Sequence, residues 1–321
     1  MRLACCNVTV TQPGPDAPPV LVLCGPTATG KSELAVALAG RLDAEVINAD
    51  SMQLYAGMDI GTAKLTVPER GGITHHLLDV WPLTKSAAVA EYQVLARAAT
   101  DQIRGRGRIP ILVGGSGLYL RAAVDRLDFP GESPEIRGRL NAELDRYGPL
   151  ELHRRLAGRD PVAAAAILPG NGRRIVRALE VIELTGGPFI ARMPGFESVY
   201  PCLHLGLDRP DLADRVRLRV DRMLALGLLD EVRGLLSAGL RDSPTAGKAL
   251  GYQQLLQVLD DDGNLCGSLP EAAEATARGT WRFVRRQRSW FRRDPRISWL
   301  DGSAADLVNL AWRLVAPRMT G

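Results

Sequence analysis

The sequence predicts an α/β fold in which helices flank a parallel sheet and an all-helical domain is inserted. Three observations support this class. The apolar run Val20–Cys24 leads into a glycine-rich loop and then a helical stretch. Further apolar runs at 44–49, 108–117 and 204–208 alternate with helical patterns, which is typical of parallel sheets with right-handed crossovers. Between 128 and 193 only helical patterns occur, so this block is predicted to be an insertion.

The glycine-rich loop consists of Gly25, Pro26, Thr27, Ala28, Thr29, Gly30, Lys31 and Ser32. It fits the pattern G-x-x-x-x-G-K-[ST] between a strand and a helix, which predicts a P-loop NTPase-like sheet. The glycines let backbone N–H groups converge on an anion, and the helix that follows adds its positive N-terminal end. Lys31 supplies a mobile positive charge, and Ser32 can ligate Mg²⁺. The loop predicts a phosphate or diphosphate site without identifying the ligand.

Composition sets broad limits. The chain has 321 residues, of which 46% are hydrophobic and 24% charged, enough for one large domain or a core with an insertion. The net charge of +4 is too small to indicate nucleic acid by itself. Five cysteines without a C-x-x-C pair indicate a reducing cytoplasm. No apolar run is long enough for a signal peptide or a membrane span, so we expect a cytoplasmic protein without a membrane partner.

We predict three parts along the chain. Residues 1–19 form a flexible lead-in, because they are rich in proline and glycine. Residues 20–127 and 194–316 form the α/β core, and residues 128–193 form the inserted helical domain. In the insertion, Ser133 and Asp160 each precede a proline, which predicts two helix starts.

Polar residues near the predicted strand ends could act on a ligand. Asp50 follows the second strand, where side chains of open α/β sheets point into the ligand crevice. Its position alone leaves open whether it acts on the ligand, caps a helix or ligates magnesium. His75 and His76 are neighbours on a predicted strand at 74–80 and would point to opposite faces, so we expect structural or solvent-facing roles.

Two basic segments could contact a polyanion. Arg173, Arg174 and Arg177 lie within one helical turn and are either solvated or hold a phosphate backbone. The segment 278–296 contains eight arginines and one acid. At 100° per residue, one helix face of this segment carries Arg278, Arg282, Arg285, Arg286, Arg292 and Arg293, and apolar residues fall on the other. A solvated face normally mixes charges, so this face favours an RNA or DNA backbone.

Seven further motifs follow the phosphate loop in order, at 47–53, 55–64, 75–79, 112–119, 174–181, 250–254 and 285–292. With these motifs the chain resembles the tRNA dimethylallyltransferases, also called tRNA isopentenyltransferases. The resemblance implies transfer of a dimethylallyl group from dimethylallyl diphosphate to the N6 amine of the adenosine just 3′ of the anticodon. The products would be N6-isopentenyladenosine and diphosphate.

The resemblance also implies roles for individual residues. Asp50 matches the general base, Thr27 the loop threonine near the reacting amine, and Arg219 the arginine that binds diphosphate. Mg²⁺ bound through Ser32 and the phosphate loop would stabilise the leaving group. The adenosine would be extruded into a channel that ends at the loop.

The implied tRNA contacts are Asp50, Ser51, Met52, Gln53, Ser116, Arg139, Arg174, Arg177, Lys248, Gly251, Tyr252, Arg282, Arg285 and Arg286. The chain departs mildly from the family pattern. It has Arg285 where lysine is common, Trp281 where arginine is frequent, and Ser32 and Ser116 in place of threonines. None of these changes removes a catalytic group. We expect the partners to be a tRNA anticodon stem-loop and dimethylallyl diphosphate, bound by a monomer.

Three other functions are weighed against this one. A small-molecule kinase would use the loop for ATP and Asp50 as base or metal ligand, but it leaves the arginine face without a role. A prenyltransferase acting on free adenine nucleotides would not need the RNA-contact motifs. A pure RNA-binding module would not need Lys31 beside Asp50.

Overall fold

The computed structural model describes residues 17–190 and 195–319. Most of the predicted lead-in, residues 1–16, lies outside the described residues. The chain divides into two compact units, one formed by Met1–Asp125 with Ser198–Gly321 and the other by Arg126–Glu197.

The first unit contains six strands: β1 (Val20–Cys24), β2 (Ala44–Asn48), β3 (His75–His76), β4 (Ile109–Gly114), β5 (Cys202–Asp208) and β6 (Ile297–Asp301). They form one sheet in the order β3-β2-β4-β1-β5-β6, and every neighbouring pair is parallel. The predicted parallel α/β fold is confirmed. Because the strands are parallel, their carboxyl ends meet at one edge of the sheet, where ligands of such folds bind.

The helices in chain order are α1 (Lys31–Leu42), α2 (Val89–Gly105), α3 (Gly117–Val124), α4 (Pro134–Arg159), α5 (Pro161–Ala166), α6 (Gly172–Thr185), α7 (Leu212–Ala225), α8 (Leu228–Leu236), α9 (Tyr252–Leu256), α10 (Leu269–Phe291) and α11 (Leu307–Met319). Helices α4 to α6 form the second unit. Short 3₁₀ helices occur at Pro68–Arg70 and Ala246–Lys248. Among the described residues, no helix is both long and apolar enough to cross a membrane.

The main core lies between the sheet and the helices α1 and α11. Leu34 and Leu38 of α1 pack with Leu21 of β1 and Ile111 of β4, and all four side chains are buried. Val315 of α11 joins the same cluster. The sheet interior therefore holds β1 and its loop in a fixed position.

Both predicted helix starts in the second unit are confirmed. The Ser133 hydroxyl accepts from the Ile136 N–H over 3.3 Å, and the Asp160 carboxylate accepts from the Ala163 N–H over 2.8 Å. Helix α4 is broken at Gly148, whose φ of 76° is a left-handed conformation that suits glycine. Leu152 is among the buried residues that pack α4 against α5 and α6.

Two predicted elements are shorter in the structure than the sequence pattern indicates. The strand predicted at 74–80 is a strand only at His75–His76. Helix α10 ends at Phe291, so Arg292 and Arg293 lie just past it instead of within the helix. All six arginines of the predicted cationic face are nevertheless exposed.

Candidate active site

The phosphate loop joins β1 to α1 at the carboxyl edge of the sheet. Gly25 has a φ of 138°, and a Cβ built there would lie 2.2 Å from the Leu207 backbone oxygen, so only glycine fits. Gly30 has a φ of 93° and precedes the first residue of α1. The Thr29 hydroxyl is buried and donates to the Pro26 carbonyl over 3.0 Å. The loop backbone is therefore fixed before any ligand binds.

Lys31 lies buried beneath this loop. Its Nζ donates to the Pro26 carbonyl over 2.5 Å and contacts the Thr29 hydroxyl oxygen at 3.4 Å. Burial and, to a smaller extent, the nearby Arg219 charge lower the pKa of Lys31 to about 8, while the Asp50 charge opposes the shift. Lys31 and Arg219 are two cations beside the phosphate loop, and the charges of Asp50 and the exposed Glu33 act on them from nearby. Two such cations favour binding of an anionic ligand.

Helices α7 and α10 hold the loop from outside. The Arg215 Nε donates to the Ala28 carbonyl over 2.8 Å. The Gln287 side-chain oxygen accepts from the Thr27 N–H over 3.1 Å, and its amide nitrogen donates to the Gly115 carbonyl over 2.8 Å. Gln287 thus joins the phosphate loop to the turn after β4. Neither Arg215 nor Gln287 was predicted as a site residue, although Gln287 lies within the motif at 285–292.

Asp50 follows β2 and is held by its own strand. Its N–H donates to the Asn48 side-chain oxygen over 2.8 Å, and the Asn48 amide donates to the Asp50 and Leu77 carbonyls, each over 3.0 Å. One Asp50 carboxylate oxygen accepts from the Met52 N–H over 2.9 Å. Within 17–190 and 195–319, no hydrogen bond is made to the other carboxylate oxygen. Asn48 was not predicted, yet it fixes the direction of Asp50.

Two clefts open at this edge of the first unit. The first cleft encloses about 810 Å³, including space open to solvent, and is lined by the phosphate loop, Lys31, Ser32 and Gln53. His75 also lines it, and its Nδ1–H donates to the Ile73 carbonyl over 2.9 Å. His76 pairs with Glu45 over 2.5 Å, in agreement with a structural role.

The second cleft measures about 1310 Å³, including space open to solvent, and has a mostly apolar lining that includes Val216, Met223 and Leu250. It shares six lining residues with the first cleft: Thr27, Asp50, Thr62, Gly115, Arg219 and Phe283. The clefts are therefore adjacent, and Asp50 and Arg219 are among the residues at their shared border.

Arg219 projects from α7 to this junction. Its Nη2 donates to the Thr62 carbonyl over 3.3 Å. Burial lowers the pKa of Arg219, while the charges of Asp50 and Glu33 counter that shift. The guanidinium is therefore positioned by a backbone carbonyl and keeps other donors for a ligand.

The residues predicted to contact RNA occupy several places. The second cleft is lined by Asp50, Ser51, Met52, Ser116, Lys248, Tyr252 and Arg286. Gly251 is the residue that precedes α9, with a φ of 93°. Arg282 and Arg285 lie on the exposed face of α10, outside both clefts. The structure therefore brings one part of the predicted set together at the second cleft.

The three predicted residues in the second unit differ in their contacts. Arg139 forms ion pairs with Glu143 and Glu183. Arg177 pairs with Glu180 over 3.0 Å and also donates to the carbonyls of Pro130 and Gly131. The Arg174 side chain is exposed. Arg177 therefore already stabilises its own unit.

The donor set at the first cleft is compatible with Mg²⁺. Among the described residues, no cluster of three or more His, Cys, Asp or Glu side chains could hold a metal ion. Mg²⁺ commonly takes only one or two protein ligands and completes its shell with substrate phosphates and water. Ser32 lines the first cleft beside Lys31 and could supply such a ligand.

Comparison with known proteins identifies the family. A family model described as IPP transferase matches residues 53–294. The chain belongs to the IPP transferase family. The tRNA dimethylallyltransferase of Thermobifida fusca (strain YX) is 61% identical over 303 residues, which cover 92% of this chain and 94% of that protein. That of Streptomyces coelicolor (strain ATCC BAA-471 / A3(2) / M145) is 61% identical over 298 residues, with 92% and 94% covered.

Solved structures of IPP transferase relatives have the same fold. The full-length tRNA isopentenylpyrophosphate transferase from Bacillus halodurans has a TM-score of 0.68 and 39% identity, covering 94% of this chain and 97% of that one. A eukaryotic dimethylallyltransferase acting on tRNA has a TM-score of 0.75 and 26% identity, covering 92% of this chain and 77% of that one. The predicted family and enzyme class, a prenyltransferase, are confirmed, which disfavours the kinase alternative.

Proposed function

We propose that this chain transfers the dimethylallyl group from dimethylallyl diphosphate to the N6 amine of the adenosine 3′-adjacent to the tRNA anticodon. The C–O bond to diphosphate breaks, a C–N bond to N6 forms, and the amine proton goes to Asp50. The products are N6-isopentenyladenosine in tRNA and free diphosphate.

One observation carries this proposal, namely that two clefts of different character meet at Asp50, Thr27 and Arg219. The first cleft has the phosphate loop and two cations, as a leaving diphosphate requires. The second cleft has apolar walls that suit the face of a purine and the short prenyl group. Each substrate can enter from its own side, with the acceptor nitrogen and the allylic carbon meeting at the junction.

The residues at the junction of the clefts have separate roles in the reaction. The N6 amine of adenosine is a weak nucleophile because its lone pair is delocalised into the ring, so a carboxylate that accepts its proton helps. Asp50 offers a carboxylate oxygen that no described residue occupies, on a side chain oriented by Asn48 and Met52. Lys31, Arg219 and the loop amides hold the charge that develops on the diphosphate. Thr27 lies beside them and can hold the amine.

Magnesium would fit the proposal as an ion that binds together with the diphosphate. Ser32 would hold it together with diphosphate oxygens, and bound Mg²⁺ would supply further neutralisation of the leaving group. The bound diphosphate would also keep Lys31 charged. Burial lowers the pKa of this lysine, and an anion beside it favours the protonated form.

The RNA is held around the second cleft. An adenosine stacked in an anticodon loop must be extruded to reach the junction, and Arg286 lines the cleft on the side of the cationic face. Exposed Arg282 and Arg285 can hold the adjacent phosphates. Both clefts belong to the first unit of a single chain, so we propose a monomer, which acts on tRNA in the cytoplasm and uses the arginines of the second unit as further contacts.

The direct test is mass spectrometry of tRNA nucleosides after incubation of unmodified tRNA with the protein, dimethylallyl diphosphate and Mg²⁺. We expect one adenosine per tRNA to gain the mass of a prenyl group, located 3′ of the anticodon. ATP in place of dimethylallyl diphosphate should give no modified nucleoside. Transfer to free AMP in preference to an anticodon stem-loop would contradict the RNA assignment.

The role of Asp50 is tested with Asp50→Asn, which keeps an oxygen for the Met52 N–H but cannot accept the amine proton. We expect the single-turnover rate to fall at least about a hundredfold, as for loss of a general base, with tRNA affinity retained. The matched control is Asp214→Asn, which changes an exposed carboxylate on α7. A rate within a few-fold of the unsubstituted protein would remove Asp50 from the role of base.

A further inference from the structure

Glu231 forms a set of contacts outside both clefts. It lies in the first turn of α8, and its carboxylate accepts from the backbone N–H groups of Asp59, Ile60 and Gly61 over 3.1, 2.6 and 3.2 Å. A carboxylate bound by three successive amides is strongly held, since each bond is assisted by its charge. The loop 59–62 is therefore fixed to α8 through one side chain.

Tyr252 completes this arrangement. Its hydroxyl donates to the same Glu231 carboxylate over 2.6 Å. Burial and the Glu231 charge raise the pKa of Tyr252, so the hydroxyl keeps the proton that it donates. A Cβ built on Gly61 would lie 2.4 Å from the Tyr252 ring, so the ring packs directly against the loop backbone.

The opposite side of the loop faces the reaction site. The Thr62 carbonyl accepts from Arg219 over 3.3 Å and from the Gln53 side-chain amide over 3.2 Å. Thr62 lines both clefts. The loop is thus held on its N–H side by Glu231 of α8 and contacts Arg219 of α7 through its carbonyl side.

We propose that Glu231 is a positioning residue that fixes the loop 59–62 so that the Thr62 carbonyl holds Arg219 toward the diphosphate. This inference rests on the proposed function, in which Arg219 binds that group. Because Glu231 lines neither cleft, it acts through the loop. Removing its acceptors should loosen the loop and leave the guanidinium in many orientations.

The decisive measurement is a double-mutant cycle. For each variant, calorimetry measures the affinity for inorganic pyrophosphate in the presence of Mg²⁺. The variants are Glu231→Gln, Arg219→Ala and the combination. The Gln side chain has one acceptor oxygen and a donor group that opposes the loop amides. We expect each single change to weaken pyrophosphate binding about tenfold, and the double variant to bind about as weakly as Arg219→Ala alone, since coupled residues are not additive.

Control variants separate positioning from stability. Asp230→Asn changes the neighbouring carboxylate, which is exposed and pairs only with Arg233 among the described residues, and should leave affinity and the thermal midpoint unchanged. If Glu231→Gln does not fold, Glu231→Asp takes its place in the cycle, because it retains the charge but is one methylene too short to reach all three amides. Additive losses in the cycle, or unchanged affinity in a folded Glu231 variant, would overturn the inference.

These results are distinguishable from failure of the proposed function. Pyrophosphate binding needs neither tRNA nor prenyl transfer. If nucleoside analysis shows no prenylated adenosine with the unsubstituted protein, the proposed function fails, whatever the cycle shows. If the protein prenylates tRNA but the cycle is additive, only the role of Glu231 fails.

Discussion

The backbone N–H of Thr27 donates to the side-chain oxygen of Gln287 over 3.1 Å, although 260 positions separate the two residues. The same side chain donates to the Gly115 carbonyl, so one amide fixes the relative position of two loops that line both clefts. A residue on the basic helix α10 therefore contributes to the shape of the phosphate site.

Replacing Gln287 with alanine should impair this site. The change leaves the Thr27 N–H and the Gly115 carbonyl without their partner, and we expect a loss of about 1–3 kcal/mol in the free energy of unfolding. Pyrophosphate affinity should fall about tenfold because the loop backbone is no longer fixed. Chemical denaturation and calorimetry measure the two effects. Ser289→Ala, on an exposed position of the same helix, is the control and should change neither.

The pH dependence of pyrophosphate binding should report Lys31. Its pKa in the unliganded protein is lowered to about 8, chiefly by burial. The charged form binds the anion, so affinity governed by Lys31 is constant below pH 8 and declines as the pH rises above it. Between pH 7 and pH 9 the charged fraction falls about tenfold, and the affinity should fall with it.

Lys31→Arg supplies the reference for that titration. Arginine stays charged throughout this range, so the variant shows only the titration of pyrophosphate and of other groups. The ratio of the two affinities should decline about tenfold from pH 7 to pH 9. A constant ratio would show that Lys31 remains charged in the unliganded site.

Gly114→Ala should move Asp50 without touching it. A Cβ on Gly114, at the end of β4, would lie 2.3 Å from the Ala49 backbone oxygen, immediately before Asp50. Backbone cannot yield as a flexible side chain can, so we expect a loss of about 1–3 kcal/mol in the free energy of unfolding. The single-turnover rate should fall about tenfold, since small displacements of a base are costly.

Gly40→Ala is the matched control for this change. Gly40 lies in α1, and a Cβ there would have nothing within 4 Å. Alanine in a helix should stabilise the protein by about 0.5–1 kcal/mol and leave the rate unchanged. If Gly114→Ala and Gly40→Ala had the same free energy of unfolding and the same single-turnover rate, the close approach of β4 to the backbone before Asp50 would be contradicted.

Arg285→Ala should affect RNA and spare the diphosphate. Arg285 is exposed on α10, outside both clefts. The affinity for an anticodon stem-loop falls as the salt concentration rises. Loss of one phosphate contact should make the slope of log affinity against log salt less steep by roughly 0.7–1. Pyrophosphate affinity should stay constant. The control is Arg318→Ala, which changes an exposed arginine on α11 and should leave the slope unchanged. An equal change of slope in both variants would show that Arg285 acts only through the overall positive charge of the protein.

The sequence alone determined the elements whose signals are local. A strand, a loop with required glycines and a helix follow one another at 20–42, and Ser133 and Asp160 cap their helices through contacts three residues away. The ordered motifs also identified the family. These features depend on neighbouring residues, so they can be derived from spacing and backbone preference.

Only the tertiary structure decided which distant side chains support the site. Asn48 is close to Asp50 in sequence, but Gln287 reaches Thr27 across 260 positions and Glu231 reaches Ile60 across 171. Glutamine and glutamate on helices are common at solvent-exposed positions, so their residue types gave no signal. Their roles arise because parallel strands gather their carboxyl ends at one edge, where α7, α8 and α10 pack against loops that the chain order keeps far apart.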